Sequence, residues 1–246
     1  MMNAKLYPAL YAPKDGYVFV VTYGRSGSTL TQSLLNSIPG YCIRGENGNL
    51  PYHLSRAVAV TSTWDNYQWR RADRNKPEED QRAFLKGIIG TPGDPWYGAE
   101  NVDPQHFSRS LMNVFVRDIL APPKGTRVSG FKEIRFHEDK MFFPSYLENM
   151  KNTFPNARFI FQTRNPENVS KSSWWGDRKK SDVMEMIRNA EKLFREFSDR
   201  NPDVCFTVEY ERYAEGSQYV SELFDFLGEK LDEKAVSKVL NVKLKH

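Results

Sequence analysis

The residues Tyr17-Val-Phe-Val-Val-Thr-Tyr23 run directly into Gly24-Arg25-Ser26-Gly27-Ser28-Thr29, and this junction carries the strongest signal for the architecture of the chain. The first part is rich in β-branched and aromatic residues on both alternating faces, which is typical of a parallel strand buried on both sides. Apolar residues then recur at helical spacing from Leu30 to Ile38, and Pro39-Gly40 ends that pattern. The junction therefore predicts a buried strand, a glycine-containing loop and a helix.

The rest of the chain repeats this alternation of strand and helix. Strand patterns cover Tyr41–Arg44, Arg127–Ile134, Ala157–Thr163 and Val204–Glu209, and helical apolar stripes cover Val183–Phe197, Tyr219–Leu227 and Lys234–Leu240. Such alternation predicts an α/β fold in which helices flank a central, mainly parallel sheet. We expect a single domain over residues 1–246.

The composition is that of a globular protein with a small basic surplus. Of the 246 residues, 39% are hydrophobic, and 35 Lys plus Arg stand against 31 Asp plus Glu. This content excludes wholesale disorder, and a net charge of +4 is too small to predict a nucleic-acid partner. The 2 cysteines form neither a disulfide framework nor a metal site. Because neither a membrane span nor a signal-peptide pattern is present, we expect a cytoplasmic protein, of open oligomeric state.

Between Thr61 and Phe107 the strand patterns disappear, and aromatic residues stand among charges, glycines and prolines. We interpret this segment as an insertion over the sheet, where α/β proteins place ligand contacts. The aromatic residues that are candidates for binding an acceptor are Trp64, Trp96 and Tyr97, with Trp69 and, later in the chain, Trp174 and Trp175. The alternative, left open here, is that these rings only pin a solvated segment to the core.

The loop Gly24–Thr29 has the residue types that bind an oxyanion. It lies between a strand and a helix, where free backbone N–H groups and the positive end of the helix dipole converge. Glycines let an anion approach the backbone, hydroxyls donate hydrogen bonds, and Arg25 adds a charged fork. It is not a Walker A loop, because Ser28 stands where that motif has a lysine. Taken alone, the loop is equally consistent with an ordinary helix cap after a glycine turn.

A second candidate anion site follows the strand at Ala157–Thr163. Arg164 stands at the carboxyl end of that strand, before Asn165-Pro166, and Ser172 comes after a short helical start. The spacing corresponds to about two helical turns, so the Ser172 hydroxyl can return to the side of Arg164. The pair predicts a second group of anion donors at the same edge of the sheet.

With both motifs in this order, the sequence resembles the sulfotransferases that use 3′-phosphoadenosine 5′-phosphosulfate (PAPS). Tyr23–Thr29 is similar to their 5′-phosphosulfate loop, in the arginine form typical of carbohydrate sulfotransferases, and Arg164 with Ser172 is similar to their 3′-phosphate motif. Val208-Glu-Tyr-Glu211 resembles the late strand end that closes their nucleotide pocket. The residues that this resemblance assigns to donor binding are Gly24, Arg25, Ser26, Gly27, Ser28, Thr29, Arg164, Ser172 and Tyr210.

The resemblance implies a P-loop-like three-layer fold, PAPS as the donor, 3′-phosphoadenosine 5′-phosphate (PAP) as the product, and no metal. Sulfuryl transfer also needs a base for the acceptor hydroxyl and cations for the sulfuryl oxygens. Arg25 supplies positive charge. Glu46 is the first candidate for the base, because it follows the second strand and the resemblance implies a glutamate in that segment.

A rival group of catalytic residues lies at the end of the third strand. There Lys132 is placed to stabilise transferred charge, and Glu133 or His137 is the alternative base. A plain salt bridge between Glu133 and Arg135 is the structural alternative and stays open.

The expected function is in-line transfer of the sulfuryl group to a hydroxyl of a small-molecule or glycan acceptor, preferably a carbohydrate or glycoconjugate. Two other functions stay open. A P-loop kinase or NTPase-like enzyme shares the strand-loop-helix phosphate cradle, although the missing lysine argues against it. A non-catalytic module that binds a nucleotide or a sulfated glycan would use the same arginines.

Overall fold

A computed structural model describes residues 2–172 and 175–242 and contains one sheet of parallel strands. The strands are β1 (Gly16–Val21), β2 (Tyr41–Arg44), β3 (Val128–Glu133), β4 (Ala157–Thr163) and β5 (Cys205–Glu209). Their order across the sheet is β2-β3-β1-β4-β5, and every neighbouring pair is parallel. The prediction of an α/β fold with a central parallel sheet is therefore confirmed, and each predicted strand is present with bounds shifted by at most a few residues.

Helices precede, connect and follow these strands. They are α1 (Met2–Leu6), α2 (Ser28–Asn36), α3 (Leu50–Thr63), α4 (Asp65–Asp73), α5 (Pro104–Phe115), α6 (Phe143–Thr153), α7 (Pro166–Ser170), α8 (Lys180–Arg200), α9 (Ser217–Leu227) and α10 (Glu233–Leu240). A π-helical turn at Val116–Leu120 extends α5. Among the described helices, none combines the length and apolar character that a membrane crossing requires.

The central strand β1 is buried on both faces, and its side chains alternate between two cores. Tyr17 and Phe19 enter a largely aromatic core that α5, α6 and α8 cover. Val18 and Val20 enter an aliphatic core on the opposite face, together with residues of α2 and α9. The alternation of apolar residues on both faces of β1 thus produces a layer of helices on each side of the sheet.

The segment from residue 61 to residue 107 contains the end of α3, α4, short 3₁₀ turns and the start of α5, and no strand of the described sheet passes through it. Its centre is an ion pair in which Arg70 donates to both carboxylate oxygens of Asp94, at 2.7 and 2.6 Å. Arg71 and Arg74 donate to backbone carbonyl oxygens of the same segment. Polar contacts as well as apolar packing therefore hold this segment in place.

The parallel sheet brings the residues that follow its strands to one edge. The Gly24–Thr29 loop follows β1, Glu46 follows β2, and Lys132 lies near the end of β3. Arg164 follows β4, and Tyr210 follows β5. This edge is where the candidate site forms.

Candidate active site

The loop after β1 turns sharply at a glycine before helix α2 begins. Gly27 has a φ of 82° and precedes α2, whose first backbone N–H groups receive no side-chain cap at that position. A Cβ atom on Gly27 would lie 2.2 Å from Cδ2 of Tyr210, so the tyrosine ring packs directly on this glycine. Uncapped N–H groups at a helix start are ready anion donors.

Buried polar side chains fasten this loop from below. The Thr22 hydroxyl donates to the Gln162 carbonyl at 2.8 Å and lies 2.7 Å from Ser26 Oγ. Gln162 Nε2 in turn donates to the Ser26 carbonyl at 2.9 Å, and Trp175 Nε1 donates to the Gly24 carbonyl at 3.0 Å. The Ser26 side chain is fully buried and faces this network, so its hydroxyl holds the loop together and does not line the cleft.

The second group of anion donors lies beside the loop. Arg25 Nε donates to Ser172 Oγ at 3.0 Å, and Arg164 Nη1 donates to the Arg25 carbonyl at 2.9 Å. The Arg164 guanidinium lies 4.5 Å from the centre of the Tyr210 ring. Arg164 Nε is buried and has no hydrogen-bond partner among the described residues. Arg25 therefore contacts both Ser172 and Arg164, and the second group of donors adjoins the loop at this residue.

On the other side of the loop, a carboxylate is held between two cations. Lys132 Nζ donates to Glu46 Oε1 at 2.7 Å, and Arg135 Nη1 donates to Glu46 Oε2 at 3.3 Å. The Lys132 side chain is 9% exposed and that of Glu46 is 35% exposed. Glu46 and Lys132 are therefore partners of which the carboxylate is partly exposed and the lysine is almost buried.

Glu133, at the end of β3, points into the protein and braces the loop after β2. Its carboxylate is fully buried and accepts from the backbone N–H groups of Asn47 at 3.2 Å and Asn49 at 2.8 Å. Arg135 Nη1 donates to the same carboxylate at 2.9 Å. The salt bridge with Arg135 is present, but it is buried on the glutamate side rather than superficial.

His137 is also turned away from the cleft. Burial lowers the pKa of His137 to about 4, and its Nδ1 has no hydrogen-bond partner in the described part of the chain. Its ring lies edge-on to Tyr23, with 6.5 Å between the centroids. The imidazole is therefore neutral and packed beneath the loop.

The loop after β1, the arginines beside it and the Lys132–Glu46 pair surround a cleft of about 450 Å³ at the carboxyl edge of the sheet. The predicted site residues that line it are Gly24, Arg25, Gly27, Ser28, Thr29, Glu46, Lys132, Arg164, Ser172 and Tyr210. Leu30, Ile134, Leu240 and Val242 add an apolar rim. The cleft thus combines a helix N-terminus, two arginines, a lysine and a carboxylate, and it can hold a ligand with more than one anionic group.

Residues 17–233 match the family model described as the sulfotransferase family. The chain belongs to the sulfotransferase family. No curated protein matches it. Among solved structures, it is similar to the sulfotransferase domain of the Synechococcus PCC 7002 olefin synthase, with 18% identity over 89% of this chain and 75% of that chain and a TM-score of 0.52. This likeness agrees with the observed fold.

Two further solved structures are more distantly similar to this sulfotransferase. The sulfotransferase domain from the curacin biosynthetic pathway is 16% identical over 89% of this chain and 76% of that chain, with a TM-score of 0.49. A sulfotransferase from Alicyclobacillus acidocaldarius is 14% identical over 93% of this chain and 85% of that chain, with a TM-score of 0.47.

The aromatic residues expected to bind an acceptor do not line the cleft of this sulfotransferase. The Trp64 and Trp96 rings contact each other edge-on, with 6.4 Å between the centroids, and Tyr97 is 60% exposed. Trp175 supports the loop through Gly24, while Trp174 lies outside the described residues. These positions leave the three acceptor assignments as predictions.

Sequence analysis missed the polar residues that hold the sulfotransferase loop from below. Gln162 is fully buried and contacts both Ser26 and Thr31. Its signal is a lone amide directly after the apolar run Phe159-Ile-Phe161, since a buried polar side chain needs partners. For Trp175 no comparable signal exists, because a tryptophan next to another tryptophan has no diagnostic spacing.

Within residues 2–172 and 175–242, no group of three or more His, Cys, Asp or Glu side chains is arranged to hold a metal ion.

Proposed function

We propose that this sulfotransferase moves the sulfuryl group of PAPS to an acceptor hydroxyl. The observation that carries the proposal is one cleft that combines two adjoining groups of anion donors with a lysine–glutamate pair. A donor with a 5′-phosphosulfate and a 3′-phosphate presents two anions at opposite sides of a ribose. The cleft lines both groups of donors along one edge of the sheet, so one ligand with two anions can contact both.

The 5′-phosphosulfate is assigned to the loop after β1. The first N–H groups of α2, the Ser28 and Thr29 residues and Arg25 face the cleft there. A helix N-terminus favours negative charge, and an arginine adds charge-assisted hydrogen bonds. These donors are preorganised, so they can stabilise charge on the departing phosphate without rearrangement.

The 3′-phosphate is assigned to Arg164 and Ser172. Arg164 is held against the Tyr210 ring and has a buried Nε atom without a partner in the described residues. A buried donor without a partner is costly, and a phosphate oxygen would satisfy it. This assignment explains why a cation with unmet hydrogen-bonding capacity persists in the cleft.

Glu46 is assigned as the general base and Lys132 as the charge-stabilising cation. Glu46 takes the proton of the acceptor hydroxyl, and the oxygen of that hydroxyl attacks the sulfur atom. The attack is in line with the bond between sulfur and the 5′-phosphate oxygen. That bond breaks, its electron pair leaves with PAP, and Lys132 transfers part of its interaction from Glu46 to the sulfuryl and leaving oxygens. Lys132 donates to Glu46 and both residues line the cleft, which supports a role for this cation next to the base.

Glu46 is favoured over the two other candidates for the base by position. Glu46 lines the cleft and is partly exposed, whereas the Glu133 carboxylate is buried against backbone N–H groups. His137 is packed under the loop. A base must come within hydrogen-bond reach of the proton that it removes, and Glu46 is the one of these three residues that lines the cleft.

The acceptor is proposed to be a hydroxyl of a carbohydrate or glycoconjugate, on the basis of the Arg25-Ser-Gly-Ser-Thr29 form of the loop. A phosphoryl-transfer reaction is less consistent with the cleft, because Ser28 occupies the place of the P-loop lysine. A non-catalytic binding role is less consistent with a partly exposed carboxylate beside the anion donors.

The test is transfer of radiolabelled sulfate from PAPS to a panel of sugars, glycosides, phenols and alcohols. We expect labelled product with at least one sugar-containing acceptor and release of an equal amount of PAP. Labelled phenols or alcohols without labelled sugars would contradict the acceptor assignment alone. Binding of PAP without transfer to any class would support the non-catalytic alternative, and turnover of ATP instead would support phosphoryl transfer.

A further inference from the structure

A single buried hydroxyl joins the end of β4 to helix α8 beneath the cleft. Tyr23 is fully buried, and its hydroxyl oxygen accepts from the Arg164 backbone N–H at 2.9 Å. The same hydroxyl lies 2.7 Å from Glu191 Oε1, to which it donates, and 3.1 Å from the Arg164 carbonyl oxygen. Glu191 lies on α8, far from Arg164 in sequence. The hydrogen bonds from Glu191 through Tyr23 to the Arg164 backbone, called the strut below, therefore connect a helix to the first residue after a strand.

Helix α8 fixes the Tyr23 ring as well as its hydroxyl. Phe194, one turn after Glu191, stacks on the Tyr23 ring with 6.4 Å between the centroids and an angle of 6° between the planes. Burial and then the neighbouring Glu191 raise the pKa of Tyr23 above its ordinary value. The phenol therefore keeps its proton and acts as a donor to the carboxylate.

The strut ends on the residue whose side chain carries charge into the cleft. Arg164 is the first residue after β4, so the sheet ladder no longer holds its backbone N–H. The Tyr23 hydroxyl replaces that ladder contact, while the guanidinium rests on Tyr210 and donates to the Arg25 carbonyl. Fixing the backbone at this position fixes the direction in which the arginine leaves it.

We infer that Tyr23 and Glu191 are positioning residues for the 3′-phosphate of the donor, acting through the backbone of Arg164. This inference rests on the proposed function, because it assumes that Arg164 receives that phosphate. Neither residue lines the cleft that is assigned to the donor. Glu191 lines a neighbouring cavity, which Arg164 also borders. The effect of Tyr23 and Glu191 is confined to ligands that carry the 3′-phosphate.

The first test is Tyr23→Phe, which removes the hydroxyl and keeps the ring. A lost hydrogen bond of about 1 kcal/mol corresponds to a rise of about fivefold in the Kd for PAP. The Kd for adenosine 5′-phosphosulfate, which has no 3′-phosphate, stays within about twofold of wild type. Both constants are measured by calorimetric titration.

Tyr17→Phe is the matched control for this substitution. Tyr17 lies in β1, is as buried as Tyr23, and donates its hydroxyl to the Leu10 carbonyl at 3.0 Å. It has no hydrogen bond to Arg164. Tyr17→Phe therefore loses a buried hydrogen bond of the same kind. We expect it to change stability without a selective loss of affinity for PAP.

The partner residue provides a second and independent variant. Glu191→Ala removes the acceptor of the Tyr23 hydrogen bond, and we expect it to lower the affinity for PAP and not that for adenosine 5′-phosphosulfate. Glu191→Gln keeps an oxygen that accepts this hydrogen bond and restores most of the affinity for PAP. Because the Glu191 side chain is only partly buried, these variants test the strut even where Tyr23→Phe reduces folding.

Variants made in a protein that lacks the Arg164 guanidinium distinguish positioning of that group from a general effect on the structure. In Arg164→Ala, the additional change Tyr23→Phe leaves the Kd for PAP unchanged, because nothing remains for the strut to direct. A further loss of affinity in that background, or equal losses for both nucleotides, would overturn the inference. If the wild-type protein binds PAP but Tyr23→Phe and Tyr17→Phe have the same Kd for PAP, the positioning role alone is overturned. Wild-type protein that binds no PAP overturns the proposed function and this role with it.

Discussion

Lys132 Nζ lies 2.7 Å from Glu46 Oε1, and the pair lines the cleft between the ends of β2 and β3. The lysine is almost buried, whereas the glutamate is partly exposed, so solvent and ligands reach the pair from the carboxylate side. Arg135 binds the second oxygen of Glu46, and Glu133 binds Arg135. This chain of contacts holds the proposed base at a fixed distance from the anion donors.

Replacing Glu46 by glutamine removes the base and keeps the size of the side chain. We expect kcat for sulfuryl transfer to fall by about 100-fold or more, the usual scale of general base catalysis. The Kd for PAP changes by less than about twofold, because Glu46 is not assigned to the nucleotide. Steady-state kinetics and calorimetry measure the two effects, and Glu138→Gln, an exposed glutamate beyond β3, is the control. Unchanged turnover in Glu46→Gln would move the base elsewhere.

Replacing Lys132 by alanine removes the cation next to the base. Loss of one preorganised charge donor typically costs about 100-fold in kcat, and we expect a decrease of that order with a smaller change in the KM for PAPS. Lys140→Ala, which removes an exposed lysine, serves as the comparison. If the KM rose and kcat did not change, Lys132 would bind the ground state of the donor and would not act in transfer.

Gly27→Ala tests the contact between the loop and Tyr210. The new Cβ would lie 2.2 Å from the ring, so Tyr210 must move and the Arg164 guanidinium loses its support. We expect the Kd for PAP to rise by about tenfold or more. Gly48→Ala is matched, because Gly48 also has a positive φ of 70° but no atom within 4 Å of the position that a Cβ would take. Equal effects of the two variants on PAP binding would mean that backbone strain alone is responsible.

The buried Arg70–Asp94 pair predicts how stability depends on pH. The hydrogen bonds from Arg70 lower the pKa of Asp94, against the opposing effect of burial. Its contribution is therefore complete above the unfolded-state pKa of about 3.9 and is lost as the pH falls through the lower folded-state value. Asp94→Asn leaves Arg70 buried without its counter-charge, and we expect a loss of about 3 to 5 kcal/mol in the free energy of unfolding at pH 7.

Urea unfolding at several pH values measures this contribution. The difference between wild type and Asp94→Asn should shrink as the pH falls below about 4, because the Asp94 carboxylate of the unfolded wild-type chain then takes up a proton that the native ion pair opposes. Asp118→Asn breaks an exposed pair with Arg117 and should change stability little at any pH. A difference between wild type and Asp94→Asn that stays constant down to about pH 2 would show that the charge of Asp94 is not the cause.

The sequence was sufficient to predict the strands and the loop after β1, because short apolar runs and glycine-serine punctuation are local signals. It also placed Arg164 at a strand end. It did not predict that Glu46 and Lys132 form one ion pair, and treated them as belonging to rival groups. Their contact depends on β2 lying next to β3, although a long stretch of chain separates the two strands. Likewise, the strut from Tyr23 to Glu191 depends on how α8 packs, which local patterns do not specify.

Calorimetric titration of the wild-type chain with PAP and, separately, with ATP and Mg²⁺ tests the central claim most directly. The two groups of anion donors predict that PAP binds at least about tenfold more tightly than ATP, and that Arg164→Ala removes this preference. ATP binding as tight as or tighter than PAP, or a preference for PAP that survives Arg164→Ala, would contradict the assignment of the cleft to a 3′-phosphorylated sulfuryl donor.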